Sequence, residues 1–299
     1  MLKLIISSFS NTVKIANGLN PWTNVYGLAR TFLALSLFIT LIVTGHQNLF
    51  PNVNGELLRG IGFDFEKISI FYLFKHNLAI AWALSLFILV FVMSGFLPQL
   101  SGILHWWAAY SYYSSGIVIE GGDQIAMILT LFLVPVCLSD PRTNHWNKPK
   151  DGNRKAFKLF VWSVYAIISL QVSIIYLHAA IAKMSVDEWV NGTAIYYWFT
   201  HETFGVSDSI KVGVAHLLSN VWVVISITWG AMLLEMILFG WIFMKRNSWN
   251  WKLLFISGVL FHFMIALIQG LVSFMLTMIG ALILYLYPKS HHLKFKLWT

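Results

Sequence analysis

Eight long apolar runs, each near the length of a membrane crossing, dominate this 299-residue chain. They fall at 27–46, 78–97, 102–119, 123–139, 158–183, 220–244, 252–269 and 271–288. About 20 apolar residues carry an α-helix across the hydrocarbon core of a bilayer. Inside that core only a helix or a closed barrel satisfies its own backbone polar groups. None of the runs alternates apolar with polar residues, so strands are not expected. The reading is all-α: a polytopic membrane helix bundle of about eight transmembrane helices, one integral domain over 1–299. The third run is the most polar, with His105-Trp106-Trp107 and Tyr110, Tyr112 and Tyr113, so a full crossing and a re-entrant or interfacial helix both fit it. Composition agrees with the runs. Hydrophobic residues make up 58% of the chain and charged residues only 11%, against about 25% charged in soluble domains. A soluble globular enzyme, a disordered chain and a disulfide scaffold are all excluded.

Charge then orients the bundle. The formal net charge is +8, and its distribution is strongly one-sided. With the N-terminus inside, fifteen cations, among them Lys3, Arg30, Arg142, Lys158, Lys245 and Lys289, share one side with Asp140 and Asp151. The opposite side carries five cations, including Lys183 and Lys211, and nine carboxylates, including Glu120 and Asp123. Cytoplasmic loops are enriched in Lys and Arg, so both termini are expected in the cytoplasm, with segments 47–77 and 184–219 outside. The basic balance is a topology signal, and nucleic acid is not an expected partner. Segment 1–20 carries apolar residues at Leu2, Ile5, Ile6, Phe9 and Val13 and no cleavage site. A short helix lying on the membrane surface and a frayed terminus both fit it. Cys137 is the single cysteine, which removes an intramolecular disulfide, a CxxC pair and a thiolate zinc site.

Ionisable groups within apolar runs cost a few kcal/mol each, so each needs a partner or a role. The fifth run ends in Tyr176-Leu-His-Ala-Ala-Ile-Ala-Lys183. His178 lies five residues before Lys183, about 140° around a helix, so the two do not share a face. Small residues at Ala179, Ala180 and Ala182 allow close packing beside the lysine. A partly desolvated lysine can act as a neutral amine base, and a lysine snorkelling to the headgroups is the structural alternative. Asp123 closes the turn Glu120-Gly-Gly-Asp123, where it suits helix capping or a place beside Lys183. Deeper lie Glu235, isolated among apolar residues, and His262 in the seventh run. A Glu235–His262 pair between helices, joined by Gln171 and Gln269, is the simplest way to satisfy both. Arg30 reads as a cation snorkelling to the cytoplasmic surface. The Trp and Tyr residues read as interface belts and packing. No P-loop, dinucleotide fingerprint, H-E-x-x-H or G-x-S-x-G sequence occurs, and no metal site is expected.

Three stretches carry a resemblance: Asn20-Pro-Trp-Thr-Asn-Val-Tyr-Gly-Leu-Ala-Arg30, the turn Gly121-Gly122-Asp123, and Phe261-His-Phe-Met-Ile-Ala-Leu-Ile-Gln-Gly270. They resemble the bacterial sporulation-delaying protein B family, of the horizontally transferred transmembrane domain group. That group is related to the membrane part of vitamin K-dependent gamma-carboxylase. Ile175–Gly192 is similar to the carboxylase pattern Y-x-x-A-G-x-K-K-L-D-A-D-W-V-x-G. On that match Lys183 takes the place of the catalytic lysine base, while Ala182 and Ala180 replace the first lysine and the glycine. The resemblance implies a bacterial plasma-membrane protein that matures or exports a secreted antimicrobial peptide toxin. Its implied partners are the peptide precursor, a small protein of the same operon and the lipid bilayer. It also implies carboxylase-like chemistry, with Lys183, His178 and Asp123 bordering an extracytoplasmic cavity and a quinone or hydroquinone as the cofactor. Glu235, His262 and Gln171 would support that cavity. A non-enzymatic peptide transporter or assembly chaperone, a quinone-dependent carboxylase or epoxidase, and an immunity protein are the rival readings.

Overall fold

The computed structural model describes residues 18–53, 56–57, 67–149, 154–244 and 249–293. The expected surface helix over 1–20 falls almost wholly outside them. Every apolar run is helical: α1 (Asn24–Thr44), α4 (Leu78–Ser94), α5 (Pro98–Ser115), α6 (Gly121–Leu138), α7 (Lys155–Met184), α11 (Val221–Gly240), α12 (Asn250–Gln269) and α13 (Val272–Leu286). Short helices fill the connections: α2 (His46–Leu49) and α3 (Ile70–Leu73) between α1 and α4, then α8 (Asp187–Val190), α9 (Ala194–Thr200) and α10 (Asp208–Leu218) between α7 and α11. A two-stranded ladder pairs Asn52–Val53 with Glu56–Leu57 beside α2. Among the described residues, α1, α6, α7, α12 and the stretch 221–243 are long and apolar enough to cross a membrane. α4 and α13 are shorter apolar helices.

α13 is the hub. From Leu276 to Leu286 nearly every side chain is buried, because α13 packs on α1, α6, α7 and α12 at once. One core gathers Tyr26, Leu33, Leu133, Ile168, Leu282 and their neighbours. A second joins the far half of α1 to α2–α5, where the rings of Phe50 and Phe71 stack at 3.6 Å. Many large apolar side chains point outward, as they must where the surrounding solvent is lipid.

The alternating helices sort the polar groups to two ends. At one end Thr23 Oγ1 donates to Lys289 O at 2.7 Å, and Asn24 pairs with the backbone of Leu293. Here Arg30 departs from the expected snorkel: it is fully buried. Its guanidinium donates to Ser101 Oγ at 3.0 Å and lies 3.1 Å from His145 Nδ1. The reason is the segment 139–147, which folds back over the bundle and carries His145 inward. Arg142 clamps Asp140 through Nε at 2.9 Å and Nη2 at 2.7 Å, and donates to His145 O and Asn147 O. Tyr26 also donates to Asp140. At the other end lie the Glu120–Asp123 turn, the start of α13, and Lys183.

Candidate functional site

α7 builds the site. Ser173, Tyr176, Ala180 and Lys183 recur at helical spacing and form one stripe along it. Ser173 Oγ donates to Phe239 O at 3.1 Å, and Tyr285 OH donates to Leu238 O at 2.8 Å. These bonds fix the end of α11 against α7 and α13. With that register set, Lys183 Nζ meets the Glu235 carboxylate on α11, 2.7 Å from Oε1 and 3.0 Å from Oε2. The lysine side chain retains 22% exposure and the glutamate 5%. The ring of Trp189 lies over the ammonium, 5.2 Å from Nζ to its centroid.

Two turns deeper on the same stripe, Tyr176 OH bonds His262 Nε2 of α12 at 3.0 Å. Both residues are buried. His262 Nδ1 has no hydrogen-bond partner among the described residues, and the Phe274 ring stands edge-on to the imidazole at 5.5 Å. The expected Glu235–His262 pair is therefore not formed. Sequence order places α12 after α11, but α11 packs chiefly on α7 and α12 chiefly on α13. Glu235 consequently faces the cation of α7, and His262 faces the phenol of α7. Gln171 and Gln269 make no hydrogen bond to this cluster among the described residues.

The other expected members are placed elsewhere. His178 is exposed on a different face of α7 from Lys183. Asp123 is buried at the first turn of α6, where Oδ2 accepts from Glu120 N at 2.9 Å in a capping box. It does not touch Lys183. Glu120 in turn accepts from Ser273 Oγ at 2.5 Å at the start of α13. Burial raises the Glu120 carboxyl above its usual range, while Ser273 and the Phe274 backbone oppose that rise. A Cβ on Gly122 would stand 3.1 Å from Phe274 Cα, so the double-glycine turn allows α6 to meet α13 closely.

Sequence reasoning passed over Tyr176. Its signal was available: Tyr176 lies seven residues before Lys183, two turns along one face. An aromatic in a membrane chain reads first as packing, and only the position of His262 reveals the hydroxyl's role.

Chemically, the Lys183–Glu235 contact at 2.7 Å is a salt bridge that sets an amine and a carboxyl group within hydrogen-bond reach of each other, the geometry that acid–base chemistry requires.

An all-helical polytopic membrane protein with an ion pair bridging two apolar helices is the class these features define. Residues 142–289 match the HTTM domain model, an interval that contains Tyr176, Lys183, Glu235 and His262. The chain is 36% identical over 298 residues to the uncharacterized protein YitO of Bacillus subtilis (strain 168), covering 97% of this chain and 94% of that one. It is 35% identical over 280 residues to the sporulation-delaying protein SdpB of the same organism, covering 92% and 84%. The chain belongs to the SdpB-like HTTM family. No solved structure matches it significantly.

Proposed function

We propose that this chain is a bacterial plasma-membrane component in the maturation or export of a secreted antimicrobial peptide toxin. Its working centre is the Lys183–Glu235 pair. The observation that carries the reading is that pair, 2.7 Å apart, in a chain 35% identical to a sporulation-delaying protein. The charge distribution supports an extracytoplasmic position for Lys183. In the proposed chemistry Glu235 takes the lysine proton as substrate enters, and the free amine then removes a proton from the substrate, restoring the ammonium. The partners are the peptide precursor, a small protein of the same operon and the lipid around both.

The test is co-production of the precursor with wild type, Lys183→Ala or Lys183→Arg, followed by the mass and toxicity of the peptide. Loss of the mature mass in both variants supports an acid–base role. Unchanged mature toxin in both overturns it. Unchanged mass with lost secretion identifies instead a non-enzymatic transporter or assembly chaperone.

One atom favours a second reading. His262 Nδ1 is buried and has no hydrogen-bond partner among the described residues, which suits a ligand hydroxyl. In a hydroquinone-dependent enzyme, His262 and Tyr176 would hold that hydroxyl and Lys183 would accept its proton. Bound hydroquinone would supply the reducing equivalents for reaction with oxygen. Hydroquinone-dependent oxygen uptake by the purified protein, lost in Lys183→Arg, distinguishes this reading; its absence removes it.

A further inference from the structure

The connection between α7 and α11 does not stand above the bundle. Ile195 N, at the start of α9, donates to Thr228 Oγ1 at 3.3 Å, and Trp229 Nε1 donates to Val190 O at 3.3 Å. Thr228 and Trp229 lie seven and eight residues inside α11, about 10–12 Å below its first residue. Gly192 holds this level: its φ of +77° is left-handed, and a Cβ there would stand 3.1 Å from Ile225. Since the stretch 221–243 is long and apolar enough to span a bilayer, α8 and the start of α9 sit beside its membrane-embedded half.

The exposed chemistry fits that depth. One side of the connection is anchored, with Ile195, Leu218 and Val224 buried together against Trp189 and Phe199. The other side presents Tyr196, Tyr197 and Trp198, whereas α10 beyond it exposes the charged Asp208 and Lys211. On α11, Trp222, Trp229 and Leu233 are exposed as well, and Trp229 is the side chain that bonds Val190 O. An aromatic face with polar tips, continuous with a spanning helix, matches the interfacial zone of a lipid leaflet.

We propose that residues 189–200, a stretch without a charged side chain, lie in the lipid leaflet at the Lys183 end as a membrane-embedded cover beside the Lys183–Glu235 pair. The partner of the exposed face is lipid. Trp189, which belongs to this cover, rests over the Lys183 ammonium, so a molecule reaching the pair does so beside a lipid-immersed segment. The proposal stands whether or not Lys183 is a base.

The test uses the full-length protein in phosphatidylcholine–phosphatidylglycerol vesicles. The single native thiol, buried Cys137, is removed as Cys137→Ala. Nitroxide labels are placed through Tyr197→Cys, Leu233→Cys on the outward face of α11, and Lys148→Cys in a connecting loop. Power saturation with oxygen and with a water-soluble nickel chelate then reports depth. The expected result is oxygen-dominated relaxation at Tyr197→Cys, as at Leu233→Cys. Nickel-dominated relaxation, as at Lys148→Cys, would overturn the proposal by placing the segment in water. Protection from both agents would also overturn it, by identifying a protein partner on this face.

Discussion

Tyr176 and Lys183 stand two turns apart on one face of α7, and each reaches a different helix: the phenol to His262 of α12, the ammonium to Glu235 of α11. α11 and α12 are neighbours in sequence and touch little. The α7 stripe is what connects them. Polar side chains on one helix thus set the distance between two others, a common role for buried polar groups in membrane bundles. Here the same groups include a lysine–carboxylate ion pair and, at His262 Nδ1, a buried ring nitrogen without a hydrogen-bond partner among the described residues.

Glu235→Gln leaves the lysine facing an amide in a mostly apolar setting. Breaking a fully buried pair costs roughly 3–5 kcal/mol. Lys183 keeps 22% side-chain exposure, so the loss is expected at or below the lower end of that range. The double variant Lys183→Met with Glu235→Leu is expected to recover most of the stability while remaining inactive in peptide production. Thermal unfolding in detergent, beside the peptide assay, separates the two roles of the pair.

Tyr176→Phe removes the partner of His262 Nε2 and leaves a buried imidazole with neither nitrogen bonded. The expected cost is about 1–3 kcal/mol. Unfolding temperature measures it. A Tyr176→Phe protein as stable as wild type would show that this bond does not hold α7 to α12.

Gly121 and Gly122 offer a matched comparison. A Cβ at Gly121 meets nothing within 4 Å, whereas one at Gly122 stands 3.1 Å from Phe274 Cα. The obstacle is helix backbone, which cannot swing aside. Gly121→Ala is therefore expected to be near neutral, and Gly122→Ala to cost about 1–3 kcal/mol through overpacking. Thermal unfolding of the two variants provides the test.

His145 sets a pH dependence at the opposite end. Burial, then the charges of Arg30 and Arg142, push its imidazole down to about 2, so the folded protein holds it neutral. The unfolded chain protonates it near the ordinary value of about 6.5. Below that pH the unfolded state binds a proton that the folded state refuses, so stability falls as pH drops and is flat above. The slope is about 1.4 kcal/mol per pH unit at most. A His145→Gln protein is expected to lose less stability than wild type between pH 7 and pH 5, read from urea unfolding in detergent.

The helices were legible in the sequence because each apolar run is close to one helix in length, and α1, α4, α5 and α12 stop at Gly45, Gly95, Gly116 and Gly270. Lys183 and Glu235 were individually visible for the same reason that they are costly: charge is rare in apolar runs. Their pairing was not visible, since it depends on which face of α11 turns to α7, and that is fixed by Ser173 and Tyr285 gripping backbone carbonyls at the end of α11. Arg30 misled for a related reason. A cation at the start of a run usually reaches for headgroups. Only the folded 139–147 segment, more than a hundred residues away, supplies His145 and encloses the guanidinium. His178 drew attention by its chemistry, although the helical period already set it off the Lys183 face.

The enclosed network of Tyr26, Arg30, Asp140, Arg142 and His145 gives the molecule a floor. A chain threading lengthwise through the bundle would have to unseat a bidentate ion pair and a buried guanidinium before it met Lys183. The Lys183–Glu235 pair is thus closed off from the Arg30 end by side chains that hold one another in place.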